Sequence, residues 1–308
     1  MIMTIAVITG VTGFLGSRLA KQLVAQGNHV IGLKRASSSL AQIQYCGLMG
    51  KIEWHDIPAE GCDLAGVLDG RRADVLFHTA ALARTGTTDE DVAALVDSNL
   101  KFPLVLAQQA KRAGVRVFIN ASTSWQSTDG VSYSPFNIYA ATKEAFENLL
   151  VALADENFAC VSIRLFDTYG AGDYRGKIVD LLVKAAATGQ PLAMSPGGQF
   201  ISLLHADDAA RAFIIAARLA LAAKGSRHHA YAAPADTPIR LRDLADLIER
   251  LAGKPVRVEW GGRPYRPNEI MMPNSSCLPV PGWTPQVPLE QGLKELIDTY
   301  RTFSSSAA

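Results

Sequence analysis

The chain lacks most of the features that would set it apart from ordinary globular proteins. None of its apolar runs reaches the ~18 residues that a bilayer span requires, and no signal peptide is read ahead of the first strand, so a cytoplasmic protein without membrane association is expected. Neither charge is in excess: 30 Lys and Arg against 29 Asp and Glu leave a formal net charge of +1. That balance argues against a general binder of nucleic acid or other polyanions. Four cysteines (Cys46, Cys62, Cys160, Cys277) are scattered without metal-ligand spacing, so no metal is expected and the thiols read as reduced. Internal repeats are missing, and the low-complexity tail at 304–308 reads as frayed. What is present is a chain of 308 residues, 48% hydrophobic and 19% charged, long enough for one large α/β unit or two lobes.

The opening stretch dominates the pattern. Ile5, Ala6, Val7 and Ile8 form a short apolar run that meets Thr9-Gly10-Val11-Thr12-Gly13-Phe14-Leu15-Gly16, followed by apolar-periodic residues from Leu19 to Val24. A buried strand, a glycine-rich turn and a helix start are what a dinucleotide diphosphate needs. Gly10 permits the turn, Gly13 lets backbone approach phosphate, and Gly16 lets the helix pack closely. Such a turn can also be purely structural. The second strand, His29 to Leu33, runs out into Lys34-Arg35-Ala36-Ser37-Ser38-Ser39. An acidic residue there would bind the ribose 2′-hydroxyl of NAD; two cations and three hydroxyls suit a 2′-phosphate instead. NADP(H) is therefore expected as the preferred cofactor with NAD(H) possible, against the alternative of a solvated basic loop. Asp56-Ile57, after a third strand, would hold and pack the adenine, unless Asp56 is a cap. Thr79-Ala80-Ala81, after a fourth strand (Asp74 to His78), leave room for a cofactor near the backbone, or merely pack tightly.

Residues 89–113 carry one long helical pattern, stopped by Gly114, and Val115 to Ile119 make strand five. That strand ends in the hydroxyl-rich Asn120-Ala121-Ser122-Thr123-Ser124-Trp125-Gln126, where open α/β sheets bind ligands. Pro135 to Lys143 then opens a helix on which Tyr139 and Lys143 are one turn apart and share a face. A phenol with a pKa near ~10 is a poor base at neutral pH. An ammonium one turn away favours the phenolate and can also hold a ribose hydroxyl.

With these residues in view, the sequence resembles the extended short-chain dehydrogenase/reductase family of nucleotide-sugar epimerases, dehydratases and ketoreductases. The matching motifs are Thr9-Gly10-x-x-Gly13-x-x-Gly16, Thr79-Ala80-Ala81, Tyr139-x-x-x-Lys143, Arg164-Leu165-Phe166-Asp167-Thr168-Tyr169-Gly170 and Leu204-His205-Ala206-Asp207-Asp208-Ala209-Ala210, in the family's order over almost the whole chain. The resemblance implies that Tyr139 is the catalytic acid/base, that Lys143 is its partner, and that Thr123 supplies the substrate-facing hydroxyl, with Ser122 and Ser124 as the flanking alternatives. Asn99 falls where the family often has an asparagine and reads as structural. The Asp-Glu pair that follows the threonine in 4,6-dehydratases is absent here; Ser124-Trp125 stand there, so elimination has no agent. The Trp125-Gln126 strand end is similar to that of CDP-abequose-synthase-like 4-ketoreductases.

The second half reads as a substrate lobe. A helix is expected over 173–189 with Gly176-Lys177 near the nucleotide, a strand over 200–204, a helix capped by Asp207 and reaching Ala223, a helix from Leu241 to Leu251, and a last helix from Leu289 to Tyr300. Between them lies Gly261-Gly262-Arg263-Pro264-Tyr265-Arg266-Pro267-Asn268-Glu269, where the resemblance places a diphosphate-gripping arginine; Arg266 with Glu269 fits its spacing and Arg263 is the reserve, while exposed surface arginines are the plain alternative. The fold expected is α/β: a Rossmann-type doubly wound parallel sheet formed by 1–168 with 206–232 returning, and a smaller lobe from 169–205 and 233–303. The function expected is hydride transfer to an NDP-4-keto-6-deoxyhexose, with Ser124, Trp125, Gln126, Arg263 and Arg266 meeting the substrate. An NDP-sugar 4-epimerase with retained NAD is the alternative, and a non-catalytic NADPH sensor the remote one. The helices from Asp89 and Tyr139 suggest a homodimer.

Overall fold

The computed structural model describes residues 5–58, 61–84, 88–173, 175–223, 225 and 227–306. Its first half alternates strand and helix: β1 (Ile5–Thr9), α1 (Phe14–Ala25), β2 (His29–Lys34), α2 (Ala41–Tyr45), β3 (Glu53–Asp56), α3 (Leu64–Leu68), β4 (Val75–His78), α4 (Asp89–Val96), α5 (Phe102–Arg112), β5 (Val117–Thr123), α6 (Ile138–Leu153) and β6 (Ala159–Leu165). The second half holds β7 (Asp167–Tyr169), α7 (Ile178–Thr188), β8 (Leu192–Met194), β9 (Phe200–Ile201), β10 (Leu203–His205), α8 (Ala206–Ala222), β11 (His228–Ala233), β12 (Ile239–Arg240), α9 (Leu241–Ala252), β13 (Val258–Trp260) and α10 (Leu289–Ser306).

Seven strands form one sheet in the order β11-β6-β5-β4-β1-β2-β3, every neighbouring pair parallel. Parallel strands are buried on both faces and need helical crossovers, which explains why Val7, Leu76, Phe118 and Val161 are all at most 1% exposed. One face is covered by α1 and α8, through Leu19, Leu23, Phe213 and Ala217; the other by α3, α5 and α6, through Leu64, Leu106, Phe146 and Leu150. Phe118 and Phe146 meet edge to face with centroids 6.1 Å apart. The chain order therefore reverses between β1 and β4, the doubly wound arrangement expected. A third cluster, built by α7, α9 and α10 with β8 and β10, contains Leu182, Leu244, Ile248 and Leu293 and draws only on the second half of the chain.

Several expected elements differ in detail. The long helix over 89–113 is interrupted by a π-turn at Asp97–Lys101, which turns Asn99 fully inward. Asp173 and residues 175–177 are not helical: the Asp173 carboxylate accepts from the Arg175 backbone N–H at 3.2 Å and Gly176 sits at φ +67°, so α7 starts only at Ile178. The run 200–204 splits at Ser202 into β9, which pairs with β12, and β10, which pairs with β7. α8 is capped by the His205 ring rather than by Asp207, whose backbone N–H donates to it at 3.3 Å. α10 runs on through Ser306, so the first part of the tail expected to fray is helical; Ala307 and Ala308, like Met3 and Thr4, lie outside the described residues.

Candidate active site

The reversal between β1 and β4 opens a crevice at the carboxyl ends of the strands, the usual ligand position in such sheets. Gly10 leaves β1 at φ +68°, and a Cβ on it would lie 2.5 Å from the Ala80 nitrogen. Gly16 is tighter still, with 2.2 Å to the Gly10 carbonyl oxygen and 2.8 Å to the Thr79 hydroxyl, which itself donates to the Thr9 carbonyl at 2.7 Å. These residues form one packed knot in which no side chain fits. Gly13 is different: it is exposed, caps α1 without a side chain, and the helix has no acid in its first turn. The first-turn N–H groups of a 12-residue helix thus face outward, between half-buried Thr12 and Leu15, ready for an anion. Phe14 is buried, with the Arg175 guanidinium carbon 4.5 Å from its ring centroid.

At the end of β2, Lys34 is ion-paired with Asp56, its register partner on β3. The acid expected to hold adenine therefore neutralises the lysine expected to hold phosphate. Ile57 is half-buried and its N–H donates to the Lys34 carbonyl at 2.6 Å. Arg35 is exposed and, among the described residues, makes no ion pair; the turn it opens is closed by its own N–H to the Ser38 hydroxyl at 3.2 Å, with Ser37 exposed at the bend.

β5 extends through Thr123 in register with Leu165 of β6, further than the sequence suggested. The Thr123 hydroxyl accepts from the Trp125 N–H at 3.2 Å, capping a single 3₁₀ turn (Ser124–Gln126) that delivers Ser124 and Trp125 to the cleft. Gln126, expected to touch substrate, is instead 1% exposed. Its amide lies 2.7 Å from the Ser122 hydroxyl and, with the nitrogen turned toward the acceptors, donates to the Thr123 carbonyl at 2.7 Å. Both Gln126 and Ser122 are spent on bracing the strand end, leaving Thr123 and Ser124 as the hydroxyls at the site.

Asn137 starts α6 by accepting from the Ala140 N–H at 2.9 Å, which fixes where Tyr139 and Lys143 point. The Trp125 ring stands edge-on to Tyr139 at 6.5 Å. Lys143 is 1% exposed and its Nζ has no partner among the described residues. Burial pushes its pKa down to about 8 and pushes the Tyr139 phenol up to about 12. Arg175 is the cation that opposes the rise at Tyr139, and Lys143, one turn away with its pKa at about 8, still carries its proton at neutral pH. His78, hydrogen-bonded to Thr9 at 2.8 Å, is kept neutral by burial and by the Lys143 charge. Asn99 donates to the Leu82 carbonyl at 2.9 Å and accepts from its N–H at 2.8 Å, and it reaches Thr142 on α6 at 3.3 Å, so it is structural. One turn past Lys143, Glu147 binds Arg164 at 2.7 Å and ties α6 to β6.

A cleft of about 500 Å³ runs from Ser124, Trp125 and Phe136 across to Met194, Arg263 and Arg266. The Arg266 guanidinium carbon lies 5.7 Å from the Phe136 centroid, and its backbone N–H donates to Glu269 at 3.3 Å. The Arg263 N–H donates to the Met194 carbonyl at 3.0 Å. Gly176 and Lys177 also line the wall, Lys177 lying 3.7 Å from Asp167. Phe136, Phe200 and Arg175 were given no role from sequence, each being a lone residue in a loop or short strand with no spacing to mark it, and Phe166 entered only as part of a motif. The knot of glycines, the open α1 N-terminus and the unpartnered buried Lys143 amine fit a dinucleotide: its diphosphate would meet the first two and a ribose hydroxyl the third.

Fold and site together define a dinucleotide-binding protein of the doubly wound class. More specifically, the model of the NAD dependent epimerase/dehydratase family matches residues 6–229, and the chain belongs to that family. It is 26% identical over 273 residues to a CDP-abequose synthase of Yersinia pseudotuberculosis, covering 87% of this chain and 91% of that one. It is 26% identical over 317 residues to a UDP-glucose 4-epimerase of Mycolicibacterium smegmatis, covering 96% and 98%. A solved UDP-glucose-4-epimerase from Stenotrophomonas maltophila with bound NAD and formylated UDP-arabinopyranose shares the fold with a TM-score of 0.85 at 18% identity, over 99% of both chains.

Proposed function

We propose that the chain is an NAD(P)-dependent reductase of a nucleotide-activated sugar, acting on the 4-keto group of an NDP-4-keto-6-deoxyhexose. The observation that carries this reading is the contact of Tyr139 on α6 with Trp125, which lines a cleft whose far wall bears Arg263 and Arg266. Gly10, Thr12, Gly13, Phe14, Leu15 and Gly16 would hold the cofactor diphosphate against Thr79, Ala80 and Ala81, and Lys143 a ribose hydroxyl. The bound nicotinamide supplies the hydride. Tyr139, kept protonated by burial, donates its proton to the carbonyl oxygen as that oxygen gains charge, while Thr123, or Ser124 beside it, holds the oxygen. Trp125 and Phe136 supply an apolar floor for the sugar, and the two guanidinium groups suit its diphosphate. The two lobes are assigned as 1–168 with 206–232, and 169–205 with 233–303.

A preference for NADP(H) rests on Arg35 and Ser37, since Asp56 already neutralises Lys34. Exposed Val96, Val105, Leu149 and Val151 on α4, α5 and α6 suit a homodimer. The Mycolicibacterium relative supports a second reading, a 4-epimerase that retains its cofactor. The test is incubation with a panel of NDP-4-keto-6-deoxysugars and NADPH. Stoichiometric loss of nicotinamide absorbance is expected; an epimerised NDP-hexose with no net oxidation would favour the second reading.

A further inference from the structure

The segment that joins β7 to α7 crosses back to the cofactor side of the molecule. Arg18 of α1 donates to the Ala171 carbonyl, and Gln42 of α2 donates to the Gly172 carbonyl at 2.6 Å. Gly172 (φ +79°) fits there only because it has no Cβ, which would stand 2.9 Å from the Tyr45 ring. This anchoring brings Arg175 over Phe14, the first residue of α1, at the point where that helix shows its uncapped N-terminus. The guanidinium is held rigidly. Its Nε and Nη2 donate to the two oxygens of Asp173 at 2.6 and 2.7 Å, and Nη2 also reaches the Thr168 carbonyl at 2.9 Å. Its third nitrogen, Nη1, makes no hydrogen bond among the described residues and lies on the open side of a 36% exposed side chain. A planar fork fixed on one edge with donors left on the other is arranged for a further acceptor, and the cation also bears on the Tyr139 phenol.

We propose that Arg175 is a cofactor-binding residue that closes the glycine turn from the second half of the chain, its free Nη1 edge donating to the dinucleotide diphosphate. The proposal rests on the assignment of the glycine turn as the diphosphate cradle. Asp173 already neutralises the guanidinium, so its value lies in directed donors rather than in net charge; a lysine would not replace it. Oriented in advance, it binds without the cost of ordering a free side chain.

The test measures binding, not turnover: titration of NADPH by its fluorescence, and displacement of bound NADPH by ADP and by adenosine. Arg175→Gln and Arg175→Lys are both expected to weaken NADPH and ADP by roughly 10–100-fold while leaving adenosine within twofold of wild type. Wild-type affinity for ADP in a folded Arg175→Gln, or in the charge-preserving Arg175→Lys, would overturn the proposal. Equal losses for ADP and adenosine would also overturn it, since they would mark general damage. A wild-type protein that binds no dinucleotide would overturn the cradle assignment itself.

Discussion

The two walls of the crevice are built in opposite ways, and the proposed function assigns cofactor to one and substrate to the other. On the cofactor wall, Gly10 and Gly16 have no side chain, neither has room for one, and the exposed groups are backbone N–H donors at the head of α1. On the proposed substrate wall, Arg263, Arg266, Trp125 and Phe136 project from loops and short turns, and their backbones are bonded within the protein: Phe136 to Trp125, Arg263 to Met194 and Arg266 to Glu269. Backbone recognition depends on packing and cannot be adjusted residue by residue. Side-chain recognition can be, which is how one cofactor fold accepts many substrates. Tyr139 and Lys143 stand on α6, which packs on β5 and on the turn that carries Trp125.

That contrast can be tested where it should be sharpest. Tyr139→Phe removes the proton donor without changing either wall, so turnover should fall by roughly 10²–10⁴-fold while the NADPH dissociation constant stays within twofold; a smaller loss in steady-state assays would move the acid elsewhere. Arg266→Ala should raise KM for the nucleotide sugar by roughly 10–100-fold, the worth of a charge-assisted hydrogen bond, with kcat little changed. If kcat falls equally, the arginine acts in the transition state and not in uniform binding.

The smallest effect concerns stability. Lys143 has a folded pKa lowered to about 8, below the ~10.4 of an unfolded lysine. The unfolded chain therefore binds more protons between these values, so stability contributed by this site rises with pH across that window and the penalty is complete below about 8. Lys143→Met should accordingly raise Tm at pH 7 and lose that advantage as pH approaches 10, while abolishing activity. A gain in Tm that does not change with pH would show the effect to be packing alone.

How much of this was legible in the sequence follows the same division. The glycine turn, the strand end at Thr123 and the Tyr139–Lys143 face are each continuous in sequence, and local rules of turn and helix geometry place them. The family resemblance joined them in order. The substrate wall was legible as arginine spacing and as Trp125, but the phenylalanine rings that complete it, Phe136, Phe166 and Phe200, come from separate segments. Three misreadings have physical causes. Phe200 to Leu204 is one apolar run, but the Ser202 hydroxyl accepts from the Ala235 N–H at 2.9 Å and the strand changes partner there, which periodicity cannot show. The 173–177 segment leads into the helical pattern of Ile178, Leu181, Leu182 and Ala185, yet the Asp173 carboxylate takes the local N–H and guanidinium donors, and Arg175 was lost inside an expected helix. Gln126 looked like a ligand because it sits at a strand's carboxyl end; its polar atoms are consumed by the protein.

The π-turn at Asp97–Lys101 carries a consequence of its own. It accommodates one residue more than an α-helix would over the same rise, and that surplus is what swings Asn99 inward to hold Leu82 on one side and Thr142 on the other. The loop that follows β4 and the helix that carries Tyr139 are thereby pinned to a common post, so their separation is set by a count of residues and not by the chemistry of any one of them. Deleting a single residue there would straighten the helix, rotate Asn99 away by about 100° and leave both elements without their shared reference, in a chain where Thr123, Tyr139 and Lys143 were all still present.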